Sequence, residues 1–107
     1  MSAHVITEFH AKPDRANDLV ELLGRVLPDS LSHDGCEAIS IQRNQDDATN
    51  VISFTQWRTR RHYEDYLAWR TDTGYTETFE EMLDQPMSIR YFDEIDFTSG
   101  AGVSRDC

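Results

Sequence analysis

Four strand-like runs separated by two helical stretches, in the order β-α-β-β-α-β, constrain this chain more than any single residue does. The first run, Ala3–His10, sets Val5, Thr7 and Phe9 against Ile6, Glu8 and His10, the two-residue period of a strand with one buried face. Helical periodicity follows. Ala16, Leu19, Val20, Leu22, Leu23, Val26 and Leu27 form a broad apolar face, and Pro13 suits the first turn of that helix. Gly24 and Pro28 weaken its far end, because Pro28 has no N–H to give to the hydrogen-bond ladder. A second strand spans Cys36–Arg43, after which Asn44, Asp46 and Asp47 supply turn chemistry. The third strand, Asn50–Trp57, is close enough in sequence to complete an antiparallel hairpin. Thr59 is positioned to cap a second helix, and Gly74 to break it. Tyr75, Phe79, Met82 and Leu83 mark a short further helix. Pro86 closes it before a last strand over 87–97, where Ile89, Tyr91, Ile95 and Phe97 share a face.

Two split β-α-β units of this kind predict a ferredoxin-like α+β fold, an antiparallel four-stranded sheet with helices on one face. All of it belongs to one domain over 1–97. The tail over 98–107, poor in apolar residues and rich in Ser and Gly, is expected to be mobile. A single chain of 107 residues buries only about 65% of the surface its unfolded form exposes. The second sheet face, with Ile52 and Phe54, is too apolar for water, so a homodimer that covers it is expected.

Ten basic against twenty acidic side chains give a net charge of -10. Such a surface repels phosphate backbones and anionic lipid, and neither a nucleic acid nor a membrane is expected as a partner. Arg58, Arg60 and Arg61 are the local exception. No run approaches the ~18 to 20 apolar residues of a membrane span, and no basic segment with an apolar core opens the chain, so a cytoplasmic location is expected. Cys36 and Cys107 do not make a disulfide framework.

The chemistry concentrates where the run VISFTQW meets the helical segment RTRRHYEDYLAWR. Trp57 ends a strand, and Tyr63, Tyr66, Trp69 and Arg70 follow on the helix, a set able to wall a flat organic molecule. Ser53 lies four residues before Trp57 and shares its strand face. Arg70 is seven residues beyond Tyr63, on the same side of the helix, where its guanidinium could hold a carboxylate, phenolate or enolate. His62, in the first helical turn, is the best general-base candidate. Each also has a purely structural reading: Trp57 as core, Arg70 in an ion pair, His62 on the surface. No two of the four histidines are spaced i, i+4, so no metal site is expected. No nucleotide-binding or nucleophile motif is present, and no cofactor is expected.

The segments KPDRANDLVELL, DGCEAISIQRNQDD and ISFTQWRTRRHYEDYLAWR resemble the antibiotic biosynthesis monooxygenase superfamily, and the resemblance runs over residues 3–97. It implies a dimeric α+β barrel and, in one branch, cofactor-independent oxidation of a small electron-rich aromatic of quinol or anthrone type by molecular oxygen. Trp57 then matches the strand-end Trp that bounds the substrate cavity, and Tyr63 an aromatic six residues on. Ser53 stands where oxygenase members carry Asn. Tyr66 stands where a His commonly follows the Trp, and haem chemistry is therefore not expected. In the resulting reading Trp57, Arg70 and His62 are catalytic, while Ser53, Tyr63 and Tyr66 bind substrate. A non-catalytic dimer that binds a small ligand, and an isomerase of a small phosphorylated ketone held by Arg58, Arg60 and Arg61, are the alternatives.

Overall fold

A computed structural model describes residues 2–95. Its elements are β1 (Ala3–His10), α1 (Ala16–Leu31), β2 (Cys36–Arg43), β3 (Asn50–Trp57), α2 (Arg60–Asp72), α3 (Tyr75–Met82) and β4 (Ser88–Phe92). The four strands form one antiparallel sheet in the order β2-β3-β1-β4. This is the ferredoxin-like arrangement that the periodicity predicts, with α3 inserted before the last strand. Along β1, buried Ala3, Val5, Thr7 and Phe9 alternate with half-buried His4, Ile6, Glu8 and His10. In β3 the same face is carried by Val51, Ser53 and Trp57, which the register sets beside Phe9, Thr7 and Ala3.

Two boundaries differ from expectation. Helix α1 starts at Ala16, and Pro13 belongs to a turn closed by the Arg15 N–H donating to the Lys12 carbonyl at 2.8 Å; its fixed φ suits that turn as well as a first helical turn. Strand β4 stops at Phe92, because β1 pairs with it only as far as His4. Ile95 lies beyond the pairing and is 70% exposed, so it is not part of the buried face of β4. Phe97 and the tail over 98–107 lie outside the described residues. Among the described residues no helix is long and apolar enough to cross a membrane.

Two packed clusters hold the helices on the sheet. One joins Leu19, Leu22, Leu23 and Val26 of α1 to Phe9, Val51, Phe79 and Met82, and the other joins Val5, Trp57 and Tyr63. On the opposite sheet face Phe54 and Phe92 remain 40% and 44% exposed; Ile6 pairs with Phe54, and His4, two residues before it on β1, pairs with Phe92.

The link from α1 to β2 turns on Gly35, whose φ of 87° is in the left-handed region. A Cβ there would run into the His62 side chain, including its own Cβ. Gly74, between α2 and α3, has a similar φ of 84° but open space around it. Gly74→Ala therefore carries only the backbone penalty, about 1–2 kcal/mol. Gly35→Ala is expected to destabilise more than Gly74→Ala in a denaturant titration, because the His62 collision adds to the same strain. Equal losses would mean that His62 moves aside freely.

Candidate active site

The side chains of α2 that face the sheet are Tyr63, Tyr66, Leu67 and Arg70, one stripe at i, i+3, i+4 and i+7. Thr59 caps the helix, its hydroxyl accepting from the His62 N–H at 3.2 Å. That fixed start turns the stripe down onto Trp57. Between this stripe, α1 and the sheet lies a cavity of about 70 Å³. It runs along the seam where the two core clusters meet, since Leu23, Val26 and Phe79 of one and Trp57 and Tyr63 of the other both line it.

Trp57 is fully buried, with Tyr66 and Tyr63 ring centroids at 4.9 and 5.6 Å. Its Nε1, which can only donate, has no partner. Ser53 and Thr7, neighbours across the β1–β3 register, add hydroxyls to the cavity floor.

Arg70 is the centre of the polar chemistry. It is 3% exposed, and no carboxylate among the described residues lies within ion-pair distance of it. Its Nε donates to the Tyr66 hydroxyl at 3.0 Å, and its Nη2 donates to the Val26 carbonyl at 3.0 Å and to Ser30 Oγ at 2.8 Å. The Ser30 and Tyr66 hydroxyls are 2.7 Å apart, with either able to donate, and Ser30 Oγ also lies 3.3 Å from the Val26 carbonyl. The rings of Trp69, Tyr75 and Tyr66 lie 4.6, 4.9 and 5.3 Å from the guanidinium carbon, and their faces partly stand in for a counter-ion. Nη1 is buried without a hydrogen-bond partner among the described residues. Leaving such a donor unsatisfied costs about 1–3 kcal/mol, and an acceptor in the cavity would remove that cost.

Burial pushes the Tyr63 hydroxyl up to about 12, the Thr7 hydroxyl offsetting part of the effect. The phenol is thus neutral at any ordinary pH. The folded state holds this proton more tightly than the unfolded chain, whose phenol titrates near ~10. The stability tied to it is whole below about pH 10 and is lost as pH rises toward 12. Tyr63→Phe is expected to flatten the fall of Tm over that alkaline interval, read by thermal melts at stepped pH; an unchanged slope would mean another group controls it.

Five of the six residues singled out from the sequence meet at this cavity: Ser53, Trp57, Tyr63, Tyr66 and Arg70. His62 does not. It lies one position off the stripe, its Nδ1 2.7 Å from the Thr59 hydroxyl and its Nε2 3.7 Å from Asp34. Among the described residues no histidine or carboxylate lines the cavity. Ser30 and His33 were not foreseen. Ser30 extends the buried stripe of α1 four residues past Val26, a spacing visible in the sequence. His33 packs against Tyr66, Trp69 and Trp57 with its Nδ1 unpartnered, a contact that only the tertiary fold creates. Arg58, Arg60 and Arg61 face carboxylates of Asp34, Glu64 and Asp65 at 4.0, 3.4 and 3.1 Å.

An antiparallel sheet roofed by helices, with an aromatic and arginine-lined cavity between the layers, defines a small α+β protein of ferredoxin-like fold. The chain belongs to the antibiotic biosynthesis monooxygenase family, whose sequence profile it matches over residues 2–81. Solved structures of the same fold include Rv0793 from Mycobacterium tuberculosis, 21% identical with a TM-score of 0.80 over 90% of this chain and 97% of that one. An antibiotic biosynthesis monooxygenase is 16% identical with a TM-score of 0.79, over 88% and 99% of the two chains. A mutant of SnoaB, a cofactor-independent oxygenase from Streptomyces nogalater, is 9% identical with a TM-score of 0.76, over 89% and 94%. No protein of curated function matches the chain in sequence.

Proposed function

We propose that this protein is a cofactor-independent monooxygenase that holds a small, acidic, electron-rich aromatic as its anion and lets molecular oxygen oxidise it. The observation that carries this reading is the buried, carboxylate-free Arg70 with Nη1 unpartnered in a cavity otherwise walled by aromatic rings. A second free donor, Trp57 Nε1, belongs to the same cavity. Two donors with no built-in base favour a ligand that arrives deprotonated, with negative oxygen for Arg70.

For a substrate of anthrone type, loss of a ring CH₂ proton leaves an enolate. One electron passes from it to O₂, the resulting radical and superoxide combine to form a C–O bond, and the peroxide takes up a proton. Loss of water then converts the carbon to a carbonyl. One oxygen atom ends in the product and one in water, and the four electrons all come from the substrate, so no other reductant is needed. In this reading Arg70 and Trp57 hold the oxyanion, Tyr63 and Tyr66 flank the ring, Ser53 offers a further hydroxyl, and solvent rather than His62 takes the proton. The half-exposed Phe54 and Phe92 with Ile6 favour a second copy of the chain over the open sheet face.

The test is oxygen consumption by the metal-free protein over a panel of quinols and anthrones, with Trp57→Phe alongside. Uptake that the variant loses supports the reading. No uptake with any of them, while a ligand still binds, would leave a binding protein in its place. The isomerase alternative has less support, since each guanidinium of the Arg58, Arg60 and Arg61 cluster faces a carboxylate.

A further inference from the structure

Beside the inner cavity lies a wider recess of about 530 Å³ between α2, α3 and the start of β4. Leu67, Thr76 and Met87 line both spaces, so the two are separated by a partition of three side chains. We propose that the recess is a second subsite of the same ligand, taking an uncharged apolar extension of a molecule whose single anionic group sits at Arg70. This rests on the anion-holding reading of Arg70 and adds to it the direction and length of the ligand.

Size carries the first part of the argument. A closed apolar cavity of about 150 Å³ takes one benzene, and the inner cavity of about 70 Å³ is less than half of that. A ring held by Arg70 and Trp57 therefore has to push against a wall. The weakest wall is the partition. Met87 is unbranched and only half-buried, so it changes rotamer more readily than the aromatic and sheet-borne walls. Leu67 lies three residues before Arg70 on one face of α2, about 5–6 Å away at Cβ. Arg70 and all three partition residues line the inner cavity, so a ligand with its anion on Arg70 shares that space with the partition.

Charge sets the direction. The charged side chains lining the recess are Glu80 and Asp84, both acidic. A second anionic group at that end would be repelled, whereas a phenyl or alkyl group would meet Leu67, Leu83, Pro86 and Ile89. The ligand class is therefore a monoanion with the charge at its inner end and an apolar body pointing outward.

The experiment is calorimetric titration of the intact protein with benzoate, 4-phenylbenzoate and biphenyl-4,4′-dicarboxylate. We expect 4-phenylbenzoate to bind roughly tenfold or more tightly than benzoate, and the dicarboxylate to lose that gain. Thr71 and Gln85 line the recess and not the inner cavity. Thr71→Trp and, independently, Gln85→Trp should erase the length advantage with benzoate affinity unchanged. Equal affinities of benzoate and 4-phenylbenzoate, or an advantage that survives both tryptophans, would overturn the two-chamber assignment while Arg70-dependent binding stood. If no carboxylate binds, or if binding is indifferent to Arg70→Met, the anion-holding reading itself falls and this one with it.

Discussion

Exchange of Arg70 for methionine is expected to weaken binding of an aromatic carboxylate by roughly 10- to 100-fold while Tm stays within a few degrees of the wild type. The affinity loss follows from the removal of a charged donor, about 1.5–3 kcal/mol for a hydrogen bond to a charged group. The small stability effect follows from the order of the network. Without the guanidinium, Ser30 keeps the Val26 carbonyl and the Tyr66 hydroxyl as hydrogen-bond partners. No carboxylate among the described residues is stranded, and the burial of an uncompensated cation is relieved. Methionine also restores most of the volume against Trp69 and Tyr75. Calorimetry and thermal melts on the same preparation separate the two effects. A large fall in Tm with unchanged affinity would make Arg70 a structural tie between α1 and α2.

The largest stability effect is expected at Trp57. It has no exposed surface, and three aromatic rings, Tyr63, Tyr66 and His33, pack on it within 6.2 Å. Truncation to alanine removes that contact and leaves a hole at the end of β3, costing about 3–5 kcal/mol. Against the total of about 5–15 kcal/mol typical of a domain, this is a large fraction of the stability. For a domain of this size Tm should fall by at least about 12 °C. Trp57→Phe keeps one ring in place and removes the unpartnered Nε1 together with the indole's second ring, so its loss should be smaller, even where oxygen uptake disappears. A similar loss in both variants would mean that the indole's outer ring, and not aromatic filling as such, holds the two layers together.

The order of elements was legible because each strand and helix keeps one period along its length. The alternation in β1 is unbroken, and the 63, 66, 67, 70 stripe of α2 follows directly from helical geometry. The same stripe accounts for the position of His62: one residue from Tyr63 on a helix is about 100° of rotation, enough to turn a side chain out of the cavity. The end of β4 was not legible, since Ile95 continues the apolar alternation of β4 in sequence, while the pairing of β4 with β1 ends at His4 and Phe92 among the described residues. The side of β3 that meets the helices was fixed by likeness to a family, because Val51, Ile52, Ser53 and Phe54 offer no clear polar face. What made the cavity distinctive, an arginine buried without a carboxylate, depends on the side chains of α1 that face it. Sequence spacing alone left an ion pair open.

The soft point of α1 has a dynamic consequence for the arginine it supports. Pro28 lies inside the helix, so the Gly24 carbonyl receives no amide proton from it, and Gly24 itself adds no side chain to brace that turn. The last turn of α1 is thus joined to the rest by a ladder with a missing rung, yet it contains Ser30, one of the acceptors that orient Arg70. Amide hydrogen exchange should be faster over 29–32 than over 19–26, reflecting local opening rather than global unfolding. Occupancy of the cavity by an anion should slow exchange in that segment first, so that the final turn of α1 reports ligand binding before any other part of the backbone does.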